Sequence, residues 1–188
     1  MFADTHCHLD FVELSSQLDS IQMAMNNQRI GMLVVPSVER SNWSKVIDIC
    51  KKDSRFFFGL GLHPYFIEVH DIEDISSLAV EISNLKRQKS NKLVAIGEIG
   101  LDFTRPGAEK QIDLFEAQLA LAEEYELPVI IHTRKANAET LFSIKKYNLV
   151  GGVVHAFSGS FELMMGYIDQ GLKIGVGPVI TWPTSSKS

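Results

Sequence analysis

The chain has 188 residues, of which 45% are hydrophobic and 22% are charged, and its formal net charge is -5. This composition is typical of a globular protein and excludes a disordered, collagen-like or disulfide-scaffold chain. No apolar run approaches the roughly 20 residues that span a membrane, so no membrane association is expected. The acidic balance argues against a basic protein that wraps nucleic acid, but an enzyme can supply positive charge through bound metal ions.

The cysteines and the N-terminus indicate the cytoplasm. Cys7 and Cys50 are the only cysteines, which is ordinary usage for a protein with reduced thiols. The N-terminal residues lack the basic and apolar regions of a signal peptide. No feature of the sequence points to an obligate protein partner.

Apolar, strand-like runs alternate with amphipathic stretches along the whole chain. The predicted strands cover residues 2–8, 32–36, 56–62, 93–98, 128–132, 153–156 and 173–177. The helical stretches show apolar residues at spacings of three and four, as in Leu14, Leu18, Ile21 and Met25. The predicted helices cover residues 14–25, 39–53, 75–85, 112–122, 139–147 and 162–169.

Several predicted strands are apolar without alternation, which is typical of parallel strands that are covered on both faces. Regular strand–helix alternation predicts an α/β fold with right-handed crossovers, and a unit of about 25–30 residues is the module of a (β/α)8 TIM-type barrel. A full barrel needs about 250 residues. We therefore expect residues 1–188 to form a single barrel domain with about seven of the eight strands, lacking the final strand and the last helices.

Histidine and acidic side chains fall where the predicted strands end, and His70 is the only histidine outside this pattern. These strand-end residues are His6, His8, His63, Glu98, His132 and His155. In a parallel barrel the carboxyl ends of all strands open on one face, where active sites lie. Residues that are more than a hundred positions apart would therefore meet.

The His6-x-His8 pair has its own geometry. Side chains two apart on a strand point the same way, so both imidazoles and Asp4 should share a face, while Cys7 points toward the helices. Such a pair alone is commonly just two polar histidines, but imidazoles together with a carboxylate suit Zn, Mn, Co, Ni or Fe. Glu98 ends an apolar strand, and an acid buried there needs a cation or hydrogen-bond donors.

Each remaining residue has a second interpretation. His63 precedes Pro64, and capping of a turn explains it as well as contact with a substrate does. His132 and His155 can each be read as a strand-end histidine that is satisfied within the protein. Arg134 and its neighbour Lys135 are open to interpretation as solvated surface charges, the commoner fate of such residues.

Five motifs in this order resemble the TatD family of metal-dependent hydrolases and DNases, within the amidohydrolase-type barrels. The motifs are Asp4-Thr5-His6-Cys7-His8-Leu9-Asp10, Gly61-Leu62-His63-Pro64, Gly97-Glu98-Ile99-Gly100-Leu101-Asp102, Pro128-Val129-Ile130-Ile131-His132-Thr133-Arg134 and His155-Ala156-Phe157-Ser158-Gly159. The resemblance runs from residue 3 to about residue 183 and covers nearly the whole chain.

The resemblance implies a (β/α)8 barrel with two divalent metal ions at its carboxyl end, either Zn, Mg, Mn or a similar ion. His6 and His8 match the ligands of the first strand. Glu98 matches a carboxylate that bridges the two ions and takes part in catalysis. The second site is completed by His132 and His155. The resemblance also implies that His63 and Arg134 face a substrate phosphate. His63 is expected to take part in catalysis as well.

These expectations point to hydrolysis of phosphodiester bonds by a metal-activated water, with DNA or another phosphodiester as the partner and 3′-to-5′ DNase activity as the specific form. Two cations about 4 Å apart lower the pKa of a bound water and clamp the attacking and leaving oxygens. Arg134 suits bidentate contact with phosphate.

Two alternatives stay open. One is an amidohydrolase-type hydrolase of C–N or ester bonds in a small molecule. The other is an inactive, truncated remnant with partial metal binding, because the family carries a further Asp in a Glu-Thr-Asp stretch on the eighth strand, and this sequence ends at Ser188 without such a stretch.

Overall fold

A computed structural model describes residues 1–177 of the chain. The expected end of the barrel after Trp182 and Pro183 falls on residues 178–188 and lies outside the described residues. Among the described residues, no helix is both long enough and apolar enough to cross a membrane.

The structure alternates strands and helices from the first residues onward. The strands are β1 (Phe2–Asp4), β2 (Ile30–Pro36), β3 (Phe56–Leu60), β4 (Leu93–Asp102), β5 (Val129–Arg134), β6 (Gly152–Val154) and β7 (Leu172–Ile174). The helices are α1 (Val12–Ser15), α2 (Leu18–Asn27), α3 (Trp43–Cys50), α4 (Glu73–Arg87), α5 (Ala108–Glu124), α6 (Asn137–Ile144) and α7 (Phe161–Asp169). Short 3-10 helices cover Arg40–Asn42 and Pro64–Phe66.

The seven strands form one parallel sheet in the order β1-β2-β3-β4-β5-β6-β7. Within residues 1–177, β1 pairs only with β2 and β7 only with β6. Residues of both edge strands, including Asp4 and Lys173, line a common cleft. The sheet is therefore curled into a half-barrel, which confirms the predicted α/β architecture and the predicted seven strands.

The sheet is packed on both faces, as the continuous apolar strands predict. In β2, Leu33 and Val35 belong to the large core between the sheet and the helices, whereas Val34 belongs to a second cluster with Ala95 and Ile130. Because neighbouring side chains of a strand point to opposite faces, the second cluster lies on the inner face of the curled sheet. This inner packing supports the strand ends that carry the polar residues.

All seven strands differ from their predicted bounds at one end or both, and the ends of β1 and β4 differ most. β1 ends at Asp4 rather than at His8, because the Asp4 carboxylate accepts the backbone N–H of His6 and the chain turns away from the regular ladder. β4 continues to Asp102, four residues beyond Glu98. The helix predicted for residues 14–25 is divided into α1 and α2.

Both cysteines are free thiols. Cys7 packs against the large core, as its predicted orientation toward the helices requires. Burial raises the pKa of Cys7 to about 11 and that of Cys50 to about 12. Neither thiol is therefore a thiolate near neutral pH.

Candidate functional site

Glu98 on β4 is the centre of a cluster of four histidines at the carboxyl end of the sheet. Its Oε2 lies 3.2 Å from Nε2 of His6 and 3.5 Å from Nε2 of His8. Its Oε1 lies 3.4 Å from Nε2 of His63 and 3.3 Å from Nδ1 of His132. Each oxygen of this one carboxylate therefore faces its own pair of imidazoles. Glu98 is buried, with only 1% of the residue exposed.

The parallel sheet brings these residues together. β3, β4 and β5 are neighbours, and the register places Gly100 of β4 beside His132 of β5. His63 follows β3 and its backbone N–H donates to the carbonyl of Val38, just beyond β2. The convergence of strand-end residues that the sequence predicts is thus present.

His6 and His8 face the same volume, as their spacing predicts. Their Nε2 atoms are 3.0 Å apart, and the rings meet edge to face at 84°. His155 stacks on His6 with ring centroids 3.4 Å apart, and burial lowers the pKa of His155 to about 4. His155 therefore reaches the cluster as a neutral ring, and its role as a ligand stays a prediction. Asp4, expected on the same face, uses its carboxylate to accept the N–H of His6.

Electrostatics keep Glu98 ionised. Burial alone would raise its pKa, but the electrostatic interaction with His63 and hydrogen bonds from His132, His6 and His63 outweigh burial and hold the pKa of Glu98 well below its usual range. Burial lowers the pKa of His63, although Glu98 opposes this shift. The cluster thus combines an anionic carboxylate with a neutral imidazole, the protonation states that metal binding requires.

The side chains fit a metal centre. The ligand atoms of His6, His8 and Glu98 lie within 4.8 Å of one another, and so do those of His63, Glu98 and His132. Within residues 1–177, four buried side-chain atoms lack a hydrogen-bond partner: His6 Nδ1, His8 Nδ1, Asp10 Oδ1 and His132 Nε2. Buried polar atoms are rarely left unpaired, and nitrogen with carboxylate ligands suits Zn and similar ions. Both groups share Glu98, which matches the bridging role that the resemblance implies.

His63 differs from the other histidines because a hydrogen bond to its Nδ1 determines which ring nitrogen carries the proton. Its Nδ1 accepts the backbone N–H of Tyr65 at 2.9 Å and caps the 3-10 helix Pro64–Phe66. A neutral imidazole with an accepting Nδ1 carries its proton on Nε2, the atom that faces Glu98. The turn-cap interpretation is therefore confirmed. It also leaves His63 with an N–H donor at the centre, which favours contact with an anion over metal ligation.

Two buried residues that the sequence interpretation missed hold the backbone at His63. Gln118 of α5 accepts the N–H of Leu62 at 2.7 Å and donates to the Leu62 carbonyl at 3.3 Å. His70 Nε2 donates to the His63 carbonyl at 3.0 Å. Two features of the sequence could have indicated these roles. Gln118 is a glutamine on the apolar face of a predicted helix, and His70 is the one histidine away from the strand ends.

Arg134 ends β5 and is exposed. It is two residues beyond His132, so both side chains point to the same side of the strand. Among the described residues Arg134 forms no ion pair within 4.0 Å, which leaves its guanidinium free for an anion. Its contact with substrate remains a prediction.

Comparison with known proteins agrees with the fold and identifies the family. The family described as "TatD related DNase" matches residues 3–188. "Uncharacterized metal-dependent hydrolase YjjV" of Escherichia coli K12 is 36% identical over 190 residues, which cover 100% of this chain and 72% of the relative. "Putative deoxyribonuclease tatdn3" of Danio rerio is 27% identical, covering 96% of this chain and 71% of the relative.

Solved structures show the same likeness. The crystal structure of YjjV, a TatD homologue, matches with a TM-score of 0.89 and covers 99% of this chain and 71% of that structure. A TatD family hydrolase from Entamoeba histolytica matches with a TM-score of 0.78 at 25% identity, covering 93% of this chain and 64% of that structure. The chain therefore belongs to the TatD family of metal-dependent hydrolases.

Proposed function

We propose that this chain is a phosphodiesterase that uses two divalent metal ions and removes nucleotides from the 3′ end of DNA. The observation that carries the proposal is the carboxylate of Glu98, each of whose oxygens faces a separate pair of imidazoles. A shared anionic carboxylate with flanking imidazoles is the donor set of a two-metal hydrolase.

The chain's own residues divide into those that hold the ions and those that hold the substrate. His6 and His8 would bind one ion together with Glu98. His132 and His155 would bind the other. When bound, the two ions supply a water of lowered pKa and neutralise charge on the phosphate.

His63 and Arg134 supply the contacts to the substrate. His63 presents an Nε2–H whose position is fixed by the turn that Nδ1 caps, so it donates a hydrogen bond to a phosphate oxygen. Arg134 is exposed, lies on the same side of β5 as His132 and presents a planar fork of donors that matches a phosphate. Both contacts favour a phosphodiester over a neutral amide.

DNA as the substrate is supported by the name of the Danio rerio relative and by the family description. The chain's net charge of -5 gives no general attraction to a polyanion, so affinity would have to come from the ions and from Arg134. The 3′-to-5′ direction rests on the resemblance to the family alone.

A substrate panel tests the proposal. The protein is stripped with a chelator and reloaded with Mg²⁺, Mn²⁺, Co²⁺ or Zn²⁺. It is then given single-stranded DNA labelled at either end, a simple phosphodiester and an amide, with Glu98→Gln purified in parallel as a control for contaminating nucleases. We expect metal-dependent cleavage of both phosphodiesters and stepwise shortening of DNA from its 3′ end. Cleavage of the amide without any phosphodiester would establish the amidohydrolase alternative, and metal binding without any turnover would establish the remnant.

A further inference from the structure

Two histidines of the centre have a buried carboxylate on the side of the ring that faces away from Glu98. His132 turns Nδ1 toward Glu98, and its Nε2 lies 3.5 Å from Oδ2 of Asp102. His8 turns Nε2 toward Glu98, and its Nδ1 lies 3.8 Å from Oδ1 of Asp10. Asp10 is 4% exposed and Asp102 is 1% exposed, so water competes little for either carboxylate.

Each carboxylate uses one oxygen for local structure and leaves the other for the histidine. Oδ1 of Asp102 accepts the backbone N–H of Thr104 at 2.9 Å and also the Thr104 hydroxyl. Oδ2 of Asp10 accepts the amide of Asn42 at 2.9 Å. The remaining oxygens are the ones that face the rings. The same division of roles at two places that are 92 residues apart in the sequence indicates a common function.

These two contacts between histidine and aspartate involve three of the four buried atoms that have no hydrogen-bond partner within residues 1–177. These atoms are His8 Nδ1, Asp10 Oδ1 and His132 Nε2. A metal ion bound on the Glu98 side would take the lone pair of the nitrogen that faces Glu98. The single proton of each neutral ring would then lie on the opposite nitrogen, beside Asp102 or Asp10. An ionised carboxylate only accepts hydrogen bonds, so it suits a ring in this protonation state.

We propose that Asp102 and Asp10 are positioning residues that fix the tautomers of His132 and His8, so that Nδ1 of His132 and Nε2 of His8 are the metal-binding atoms. The inference rests on the metal-binding part of the proposed function and is independent of the substrate. Carboxylates that orient metal-binding histidines in this way typically account for 10- to 100-fold in metal affinity.

The sharpest variant is Asp102→Asn. The asparagine keeps the size of the side chain, and its Oδ1 can still accept the N–H of Thr104. Its NH₂ group would then face Nε2 of His132, which must become an acceptor, and the proton moves to Nδ1. We expect Zn²⁺ affinity, measured by competition with a chelator, to fall roughly 10- to 100-fold. The corresponding Asp10→Asn exchange should act on His8 in the same direction.

Imidazole ¹⁵N NMR of the Zn²⁺-loaded protein shows which ring nitrogen of a histidine binds the ion and which one carries the proton. The spectrum of His132→Gln assigns the signal. We expect His132 of the natural chain to bind Zn²⁺ through Nδ1 and to carry its proton on Nε2, and we expect Asp102→Asn to lose this pattern. This readout needs no substrate and would not change if Asp102 acted only on folding.

The matched control is Glu116→Gln. Glu116 accepts from Ser143 and Lys146 near the surface, away from the centre, and both the tautomer and Zn²⁺ affinity should be unchanged there. A natural chain whose His132 carries the proton on Nδ1 would overturn the inference, even if the Asp102 variant failed to fold. Zn²⁺ binding with the expected protonation but without phosphodiester turnover would overturn the proposed function and leave the inference standing. Absence of Zn²⁺ binding by the natural chain would overturn both.

Discussion

Polar side chains gather at both ends of the sheet, but they find their partners in different ways. Before β3 and β4, at the amino end, Arg55 Nη2 bonds to Asp53 Oδ2 at 2.6 Å, and Asp53 also accepts from Gln22. Lys92 donates to three backbone carbonyls of the same turn and strand, those of Asp53, Ser54 and Phe56. The protein itself thus supplies partners for these charged groups.

At the carboxyl end the partners are incomplete. Glu98 is surrounded by four imidazoles, yet ring nitrogens of His6, His8 and His132 have no hydrogen-bond partner among the described residues. In barrels of this class the carboxyl end carries activity and the amino end carries stability. Buried polar groups that are satisfied by their neighbours thus have a structural role, whereas a convergent set of polar groups with unpaired atoms marks a ligand site.

The largest expected effect comes from Glu98→Gln. The amide removes the negative charge that both groups of imidazoles share, so metal affinity and phosphodiester turnover should each fall by more than about 100-fold, the upper end of losses from outer-shell changes. Chelator competition and steady-state kinetics measure the two quantities. Full activity in this variant would contradict the assigned role of Glu98, and Glu116→Gln is the control.

Arg134→Ala should have the next largest effect. Hydrogen bonds to a charged partner contribute about 1.5–3 kcal/mol, so the KM for a phosphodiester should rise about 10- to 100-fold. Zn²⁺ affinity should stay the same, because Arg134 contacts no ligand atom. Lys135→Ala removes a neighbouring exposed charge and serves as the control. An unchanged KM in Arg134→Ala would show that its charge is only solvated.

Asp53→Ala tests the amino end, where the expected effect is on stability. The side-chain hydrogen bond from Arg55 is the main cause that lowers the pKa of Asp53 to about 2. A pKa lowered in the folded state stabilises the protein above the ordinary Asp pKa of about 4, and this stabilisation is lost as pH falls toward 2. We expect the free energy of unfolding at neutral pH to fall by about 1–2 kcal/mol, with little difference between variant and natural chain near pH 2.

Urea unfolding across this pH range measures the effect, and Zn²⁺ affinity should not change. The control is Asp48→Ala, which removes an ion pair with Lys51 in which both side chains are 69% exposed. Such exposed pairs contribute about 0.5 kcal/mol or less. Equal destabilisation by the two variants, or loss of metal affinity in Asp53→Ala, would remove the distinction between the two ends of the sheet.

Much of the fold was predictable because its signals are local. Continuous apolar runs predicted seven parallel strands, and strand-end polar residues predicted that Glu98 meets His6, His8, His63 and His132. The predicted end of β1 was wrong because the side chain of Asp4 accepts a hydrogen bond from the backbone N–H of His6. No hydrophobic pattern records such a contact.

The supporting residues were harder to predict because their roles depend on distant partners. Gln118 holds Leu62, which is 56 residues away in the sequence. Asp102 lies four residues beyond Glu98, and this even spacing on a strand was a signal that both face one side. Its relation to His132, however, follows only from the pairing of β4 with β5.

Anomalous diffraction from crystals soaked in Zn²⁺ or Mn²⁺ tests the central claim, that Glu98 is the shared carboxylate of a two-metal centre, most directly. We predict two peaks that both contact Glu98, one beside His6 and His8 and the other beside His132. Absence of any peak at Glu98, or metal bound only away from it, would contradict this account.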